Sequence, residues 1–116
     1  MYLIKEMPSK ERPRERLIEY GVSALSNEEL LAILLRTGRK DLSVIELAKN
    51  VLYHLESLED LKRITVHELL LINGIKEAKA TTIVAAIELG KRLSSIHQEK
   101  RIKITSPYDV YHLMSH

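Results

Sequence analysis

The residues best suited to binding chemistry lie around Asn73-Gly74, with Lys76 and Lys79 following in the next turn of chain. An Asn-Gly pair accepts positive φ at little cost, so the chain can reverse direction sharply there. The pattern predicts a short helix before this turn and a long helix directly after it. The first N–H groups of a helix lack backbone acceptors and attract anions. The sequence therefore predicts phosphate binding at this turn, with lysines adding positive charge.

This stretch resembles the helix-hairpin-helix motif of DNA-binding proteins that do not read sequence. That motif usually reads apolar-x-Gly-apolar-Gly before a small or basic helix start, and Ile75 stands at its second apolar position. The resemblance implies that Asn73, Gly74, Ile75, Lys76 and Lys79 contact nucleic acid. Lys76 replaces the second glycine and so places a Cβ where a phosphate would approach most closely. The alternative is a hairpin that only packs or binds protein, as related sterile-alpha-motif (SAM-like) folds do.

A second basic cluster lies in the first of two similar segments of the chain. Glu29–Ile33 resembles Glu68–Ile72, and Ile45–Lys49 resembles Ile87–Lys91, which predicts two helix-loop-helix units. Chance similarity between leucine-rich helices is the alternative. The first unit's loop contains further candidates for nucleic-acid binding: Arg36, Gly38, Arg39 and Lys40. A simple helix end with solvated bases is the competing interpretation of this loop. If both clusters act together, the fold must bring them to one end of the domain.

Leu, Ile and Ala are the commonest hydrophobic residues, and capping boxes at Ser26–Glu29, Ser43–Glu46 and Thr65–Glu68 mark helix starts. We predict an all-α fold, a compact bundle of short helices with a helix-hairpin-helix pair, similar to (HhH)2 and SAM-like domains. The predicted helices cover about 13–20, 27–36, 44–54, 58–63, 66–71 and 76–95. The apolar stripe of the last helix includes Gly90, which predicts a closely approaching neighbouring backbone there.

Residues 1–96 are predicted to form this helical domain. Residues 97–116 are predicted to be a linker and the start of a second domain, with a short strand at 102–104 and a further helix from Pro107.

Several classes of function find no support in the sequence. The 116 residues include no cysteine, and no grouping of acid, base and nucleophile suggests catalysis. His112 and His116 have helical spacing but no third ligand, so we predict no metal and no cofactor. No apolar run could span a membrane, so we predict a cytoplasmic protein. The net charge of +2 is weak support for a polyanionic partner, since acids at helix starts and bases at helix ends also explain its distribution.

Several segments of the chain resemble the N-terminal half of the bacterial RadC-like family, also called UPF0758. They are Arg12–Leu17, Leu25–Gly38, Ile104–Val110 and the hairpin. The resemblance implies a non-catalytic, sequence-independent DNA-binding domain with a link to DNA repair. It also implies a C-terminal zinc-dependent JAB/MPN-like metallohydrolase domain as an intramolecular partner, whose zinc ligands this chain does not contain. A protein-interaction or regulatory domain serving that enzyme is the alternative function.

Overall fold

The computed structural model describes residues 12–100, and within this range the regular structure is helical. Five α-helices follow one another: α1 Pro13–Tyr20, α2 Asn27–Leu35, α3 Val44–Tyr53, α4 Val66–Leu70 and α5 Glu77–Lys100. Two 3₁₀ segments, Val22–Ala24 and Leu58–Arg63, connect them. The predicted all-α fold is confirmed. The predicted fourth helix is 3₁₀ rather than α, and the 3₁₀ turn at Val22–Ala24 was not predicted.

Helix starts follow the capping signals closely. Ser26 accepts a hydrogen bond from the Glu29 N–H, and the Glu29 carboxylate accepts one from the Ser26 N–H. Thr65 and Glu68 form the same reciprocal pair at the start of α4. At α3 only half of the predicted box forms. The Ser43 hydroxyl accepts a hydrogen bond from the Glu46 N–H, but the Glu46 carboxylate accepts none from the Ser43 N–H. These side chains satisfy amides that the first helical turn leaves without acceptors.

The core lies between α2, α3 and the first half of α5. Its largest fully buried side chains come from α2, α3, α4 and α5: Leu35, Leu47, Val51, Leu69 and Ile83. The turn residues Ile72 and Ile75 are also buried and join the same cluster. Small residues at close helix contacts, such as Ala48 and Ala80, let the backbones approach. This packing places the loop after α2 beside the turn before α5.

Helix α5 extends beyond the packed core of the domain. Ala80 and Ile83 are buried and Ile87 is half-buried, but Leu93 is 60% exposed. Apart from the helix's own neighbouring backbone, no described atom lies within 4 Å of the position that a Cβ on Gly90 would occupy. The predicted close approach at Gly90 is therefore wrong, because no described backbone of another element packs against α5 there.

The end of α5 also bears on the predicted domain boundary. The helix continues to Lys100, so residues 97–100, predicted as linker, are helical. The predicted strand, the following helix and the start of a second domain lie at 101–116, outside the described residues. The division into two domains stays a prediction.

Candidate nucleic-acid interface

The two predicted basic clusters meet at one end of the domain. The Arg39 guanidinium donates a hydrogen bond of 2.7 Å from Nη1 to Oδ1 of Asn73, joining the loop after α2 to the turn before α5. We call residues 36–42 and 73–79 together the paired-loop surface. Since α2–α3 and α4–α5 are the two helix-loop-helix units predicted from the similar segments, this contact joins their equivalent loops.

Gly74 has φ +101°, which favours glycine and agrees with the predicted Asn-Gly turn. The space left by its missing side chain is filled by the domain itself. A Cβ at Gly74 would lie 2.9 Å from Cδ1 of Leu47 and 3.1 Å from Cδ of Arg39. The expectation that a phosphate approaches Gly74 on this side is corrected, because Arg39 and Leu47 occupy it.

Lys79 also differs from its predicted role as a mobile charge. Its ammonium group donates to the carbonyl oxygen of Leu35 (2.8 Å) and to the hydroxyl of Thr37 (3.1 Å). Lys79 thereby supplies a cation and a donor to the C-terminal end of α2, where carbonyls lack helical partners. Burial, and secondarily the charge of Arg36, lowers the pKa of Lys79. Lys79 is a fixed bridge between α5 and the loop after α2.

The loop after α2 contains two tight turns. The Thr37 N–H donates to the Leu35 carbonyl at 2.8 Å, and Arg36 between them has φ 70° and ψ −51°. This is a γ-turn of positive φ, a rare and strained conformation. The chain then turns again between Arg39 and Leu42, whose backbones exchange hydrogen bonds of 2.7 and 3.3 Å. Lys40 lies at the tip of that second turn.

Positive charge dominates the paired-loop surface. Its basic residues are Arg36, Arg39, Lys40, Lys76 and Lys79, and its acidic residues are Asp41 and Glu77, a net formal charge of +3. The Arg39 Nε lies 3.9 Å from the Asp41 carboxylate. Arg36, Lys40 and Lys76 are exposed, and none forms an ion pair within residues 12–100. These three side chains are the ones free to neutralise an external anion.

Backbone amides at the start of α5 add to this surface. The first helical bond runs from the Ala80 N–H to the Lys76 carbonyl at 3.0 Å. In the described part of the chain the N–H groups of Glu77, Ala78 and Lys79 therefore have no backbone acceptor. Ile75, one of the predicted contact residues, is not available: its N–H donates to the Ile72 carbonyl and its side chain is 3% exposed. The N–H groups of Gly74 and Lys76 likewise have no backbone acceptor among the described residues, so within 74–76 only the Ile75 amide is satisfied by the domain itself.

Lys76 occupies the capping position of the longest helix. Helices α2, α3 and α4 begin with Ser26, Ser43 and Thr65, whose hydroxyls accept amide hydrogen bonds. Lysine has no acceptor, and its charge lies at the positive end of the helix dipole. Helix α1 departs from this rule as well, because its capping residue Arg12 makes no side-chain cap bond. Departures from local rules of this kind occur at functional or strained sites.

Replacing Lys76 with serine is expected to stabilise the domain and to weaken anion binding. The new hydroxyl can accept an amide hydrogen bond and an unfavourable charge is removed, which together contribute about 1 kcal/mol. Urea unfolding measures the stability and a DNA titration measures the binding. If Lys76→Ser loses stability, the assigned capping role is wrong; if it leaves binding unchanged, Lys76 has no part in the interface.

Three contributors to this geometry were missed by the sequence reasoning. Leu47 supports the turn from below, the Leu35 carbonyl anchors Lys79, and Thr37 shares that anchor. A backbone acceptor leaves no signal in sequence. Leu47 lies in the similar segment Ile45–Lys49, but that similarity alone does not indicate a contact with Gly74.

Neither a metal site nor a membrane span is found in residues 12–100. No group of three or more His, Asp or Glu side chains in this range could hold a metal ion. His112 and His116 lie outside the described residues. Among the helices described, none is both long and apolar enough to cross a bilayer.

The fold and site thus define a small all-helical domain with a cationic pair of loops at one end. Residues 4–81 match the family model described as UPF0758 N-terminal. The chain is 50% identical over 107 residues to UPF0758 protein BH3032 of Halalkalibacterium halodurans, covering 92% of this chain and 46% of that protein. It is 51% identical over 112 residues to a UPF0758 protein of Alkaliphilus metalliredigens, covering 96% and 48%. A UPF0758 protein of Staphylococcus epidermidis is 49% identical over 111 residues, covering 96% and 49%.

The chain belongs to the UPF0758 family and corresponds to its N-terminal part. It spans about half the length of the curated relatives it matches. No solved structure matches the chain.

Proposed function

We propose that the paired-loop surface binds the phosphate backbone of DNA without reading its sequence, and that α4, the turn and α5 act as a helix-hairpin-helix element. The observation that carries this proposal is the hydrogen bond between Arg39 and Asn73, which joins two basic loops into one cationic end. Neither loop alone holds enough charge to bind a polyanion tightly. Joined, they carry a net +3.

The division of labour follows from the contacts. Lys79 and Arg39 bridge the loops and fix their spacing, while Arg36, Lys40 and Lys76 extend from them without ion-pair partners in the described range. The unpaired N–H groups in the first turn of α5 can donate hydrogen bonds to one phosphate at the positive end of the helix dipole. Such contacts position a duplex but carry no base information.

Charge reversal tests the proposal at a matched pair of exposed lysines. Lys40→Glu is expected to weaken binding of a labelled DNA duplex about tenfold at low salt, since it removes one charged contact and adds a repulsive one. The log–log slope of affinity against salt should fall by about 1. Lys91→Glu makes the same charge change about 20 Å along α5 from its start and should have little effect. Equal losses in both variants, or salt-independent binding, would refute the phosphate-contact surface.

A non-catalytic role in the cytoplasm, with DNA as the partner and a link to DNA repair, is part of the same proposal. It requires no cofactor, because phosphate contacts of this type use only side chains and amides. The half of the longer relatives that this chain does not match would supply any chemistry, which the family resemblance implies to be a JAB/MPN-like metallohydrolase.

A second candidate function is a protein-interaction or regulatory domain for the half of the relatives that this chain does not match. Beyond its packed segment α5 exposes Leu89 and Leu93, each 60% exposed, and Ile96. A separate groove of about 330 Å³, which α5 lines only with Ile87, has as its other apolar lining Leu30, Leu31, Leu34, Leu52, Leu58 and Leu61. The exposed apolar patch that this alternative predicts around Ile102–Leu113 lies outside the described residues, and Leu89, Leu93 and Ile96 provide another apolar surface. Adding the second half of a relative in trans should then protect Leu89 and Leu93 and leave Lys40 accessible.

A further inference from the structure

A second cationic feature, a cleft of about 580 Å³, lies where the start of α1 faces the loop after α2. Its polar lining is Arg12, Arg14, Glu15, Arg36 and Thr37, and its apolar floor is formed by Pro13, Ala32, Ile33 and Val44. The volume is in the range of small-molecule binding sites. A polar rim over an apolar floor suits a ligand with one charged and one less polar part.

The charges of the cleft favour a dianion. Its lining contains three guanidinium groups and one carboxylate, that of Glu15; Arg12 has a partner of its own, so the charge offered to a ligand is that of Arg14 and Arg36. Arg14 and Arg36 are both exposed, and no ion pair or hydrogen bond of either side chain is recorded within residues 12–100. Guanidinium groups bind phosphate oxygens in a bidentate fork. A backbone phosphodiester carries one negative charge, whereas a phosphate monoester carries about 1.5 to 2.

The backbone holds Arg36 at the cleft at a conformational cost. Arg36 is the one non-glycine residue with positive φ in the described part of the chain. Its neighbour Leu35 is anchored by Lys79, so the strained turn is held from both sides. Glycine would occupy this position without strain. Strained non-glycine residues of this kind cluster at active sites and ligand-binding sites.

We propose that this cleft binds the phosphate monoester of a nucleotide, with Arg14 and Arg36 on the phosphate and the sugar or base over the apolar floor. The nucleotide is either the phosphorylated end of a DNA strand or a free nucleoside monophosphate. The strand-end form rests on the proposed function, whereas the free-nucleotide form stands without it.

Three probes separate these cases in titrations of the full chain: one short single-stranded oligonucleotide with phosphorylated ends, the same oligonucleotide with hydroxyl ends, and deoxyadenosine monophosphate. The phosphorylated oligonucleotide is expected to bind about tenfold more tightly than the hydroxyl-ended one, as a charged bidentate contact gives. Arg14→Ala should abolish that difference. Arg63→Ala changes an exposed arginine that lines no part of the cleft and should preserve it.

Arg36→Gly separates binding from folding. Glycine relieves the positive-φ strain, so the thermal midpoint should rise or hold while the preference for phosphorylated ends disappears. Two results would overturn the proposal. One is equal affinity for both oligonucleotides together with no binding of the monophosphate; the other is a preference for phosphorylated ends that survives Arg14→Ala. So would equally tight binding of a phosphoserine peptide. If hydroxyl-ended DNA does not bind but deoxyadenosine monophosphate binds in an Arg14-dependent way, the proposed DNA-backbone function fails and the nucleotide cleft stands.

Discussion

Alanine in place of Gly38 is expected to destabilise the domain by about 3 kcal/mol or more, a large part of the 5–15 kcal/mol typical of a domain this size. The added Cβ would fall directly on the carbonyl oxygen of Leu42, 2.6 Å from the Ser43 carbonyl carbon and 2.7 Å from the Val44 nitrogen. All three are backbone atoms at the start of α3, so no side-chain rotation can relieve the contact. Urea unfolding of both proteins measures the difference.

Gly90→Ala is the matched control, because it makes the same chemical change where no described atom beyond the helix's own neighbouring backbone lies within 4 Å. Alanine in an exposed helix interior should stabilise the protein by about 0.5–1 kcal/mol. The two substitutions are thus expected to have opposite signs. Similar effects at Gly38 and Gly90 would show that the loop does not pack against the start of α3 as described.

The second large effect is expected for Leu47→Ala, a loss of about 3 kcal/mol. Leu47 is 0% exposed, and truncating a buried leucine removes its burial and leaves a cavity. Its Cδ1 lies directly beneath Gly74, so this cavity opens under the turn. Gly74→Ala alone should cost about 2 kcal/mol from positive φ and steric contact.

The double variant tests whether α3 supports the turn. With Leu47 truncated, the added methyl group at residue 74 meets less resistance, although the strain at positive φ remains. The combined loss should therefore be smaller than the sum by at least about 0.5 kcal/mol, as measured in a double-mutant cycle. Strict additivity would mean that Leu47 and Gly74 do not interact.

Local signals predicted the helices well because their causes are local. Ser26–Glu29 and Thr65–Glu68 formed the predicted boxes. Helix α1 begins at Pro13 and ends before Gly21, as expected. At Gly74 the positive φ was predictable from Asn-Gly, but its neighbours Arg39 and Leu47 were not. Those contacts join residues distant in sequence, where only the packed fold decides proximity.

The same limit explains the two main corrections. Gly90 lies on the apolar stripe of α5, but a stripe carries no information on where the neighbouring element ends. Lys79 has the same sequence context as a free lysine near a helix start. Its partner is a backbone carbonyl 44 residues earlier in the chain, and a contact with a backbone carbonyl cannot be inferred from residue type.

Chemical-shift mapping of the isotopically labelled chain with a short DNA duplex tests the central claim most directly, namely that two basic loops form one phosphate-binding surface. We predict that amides of 36–40 and 76–79 shift together, with one affinity that falls as salt is added. Shifts confined to the exposed leucines of α5, or in only one of the two loops, would contradict it.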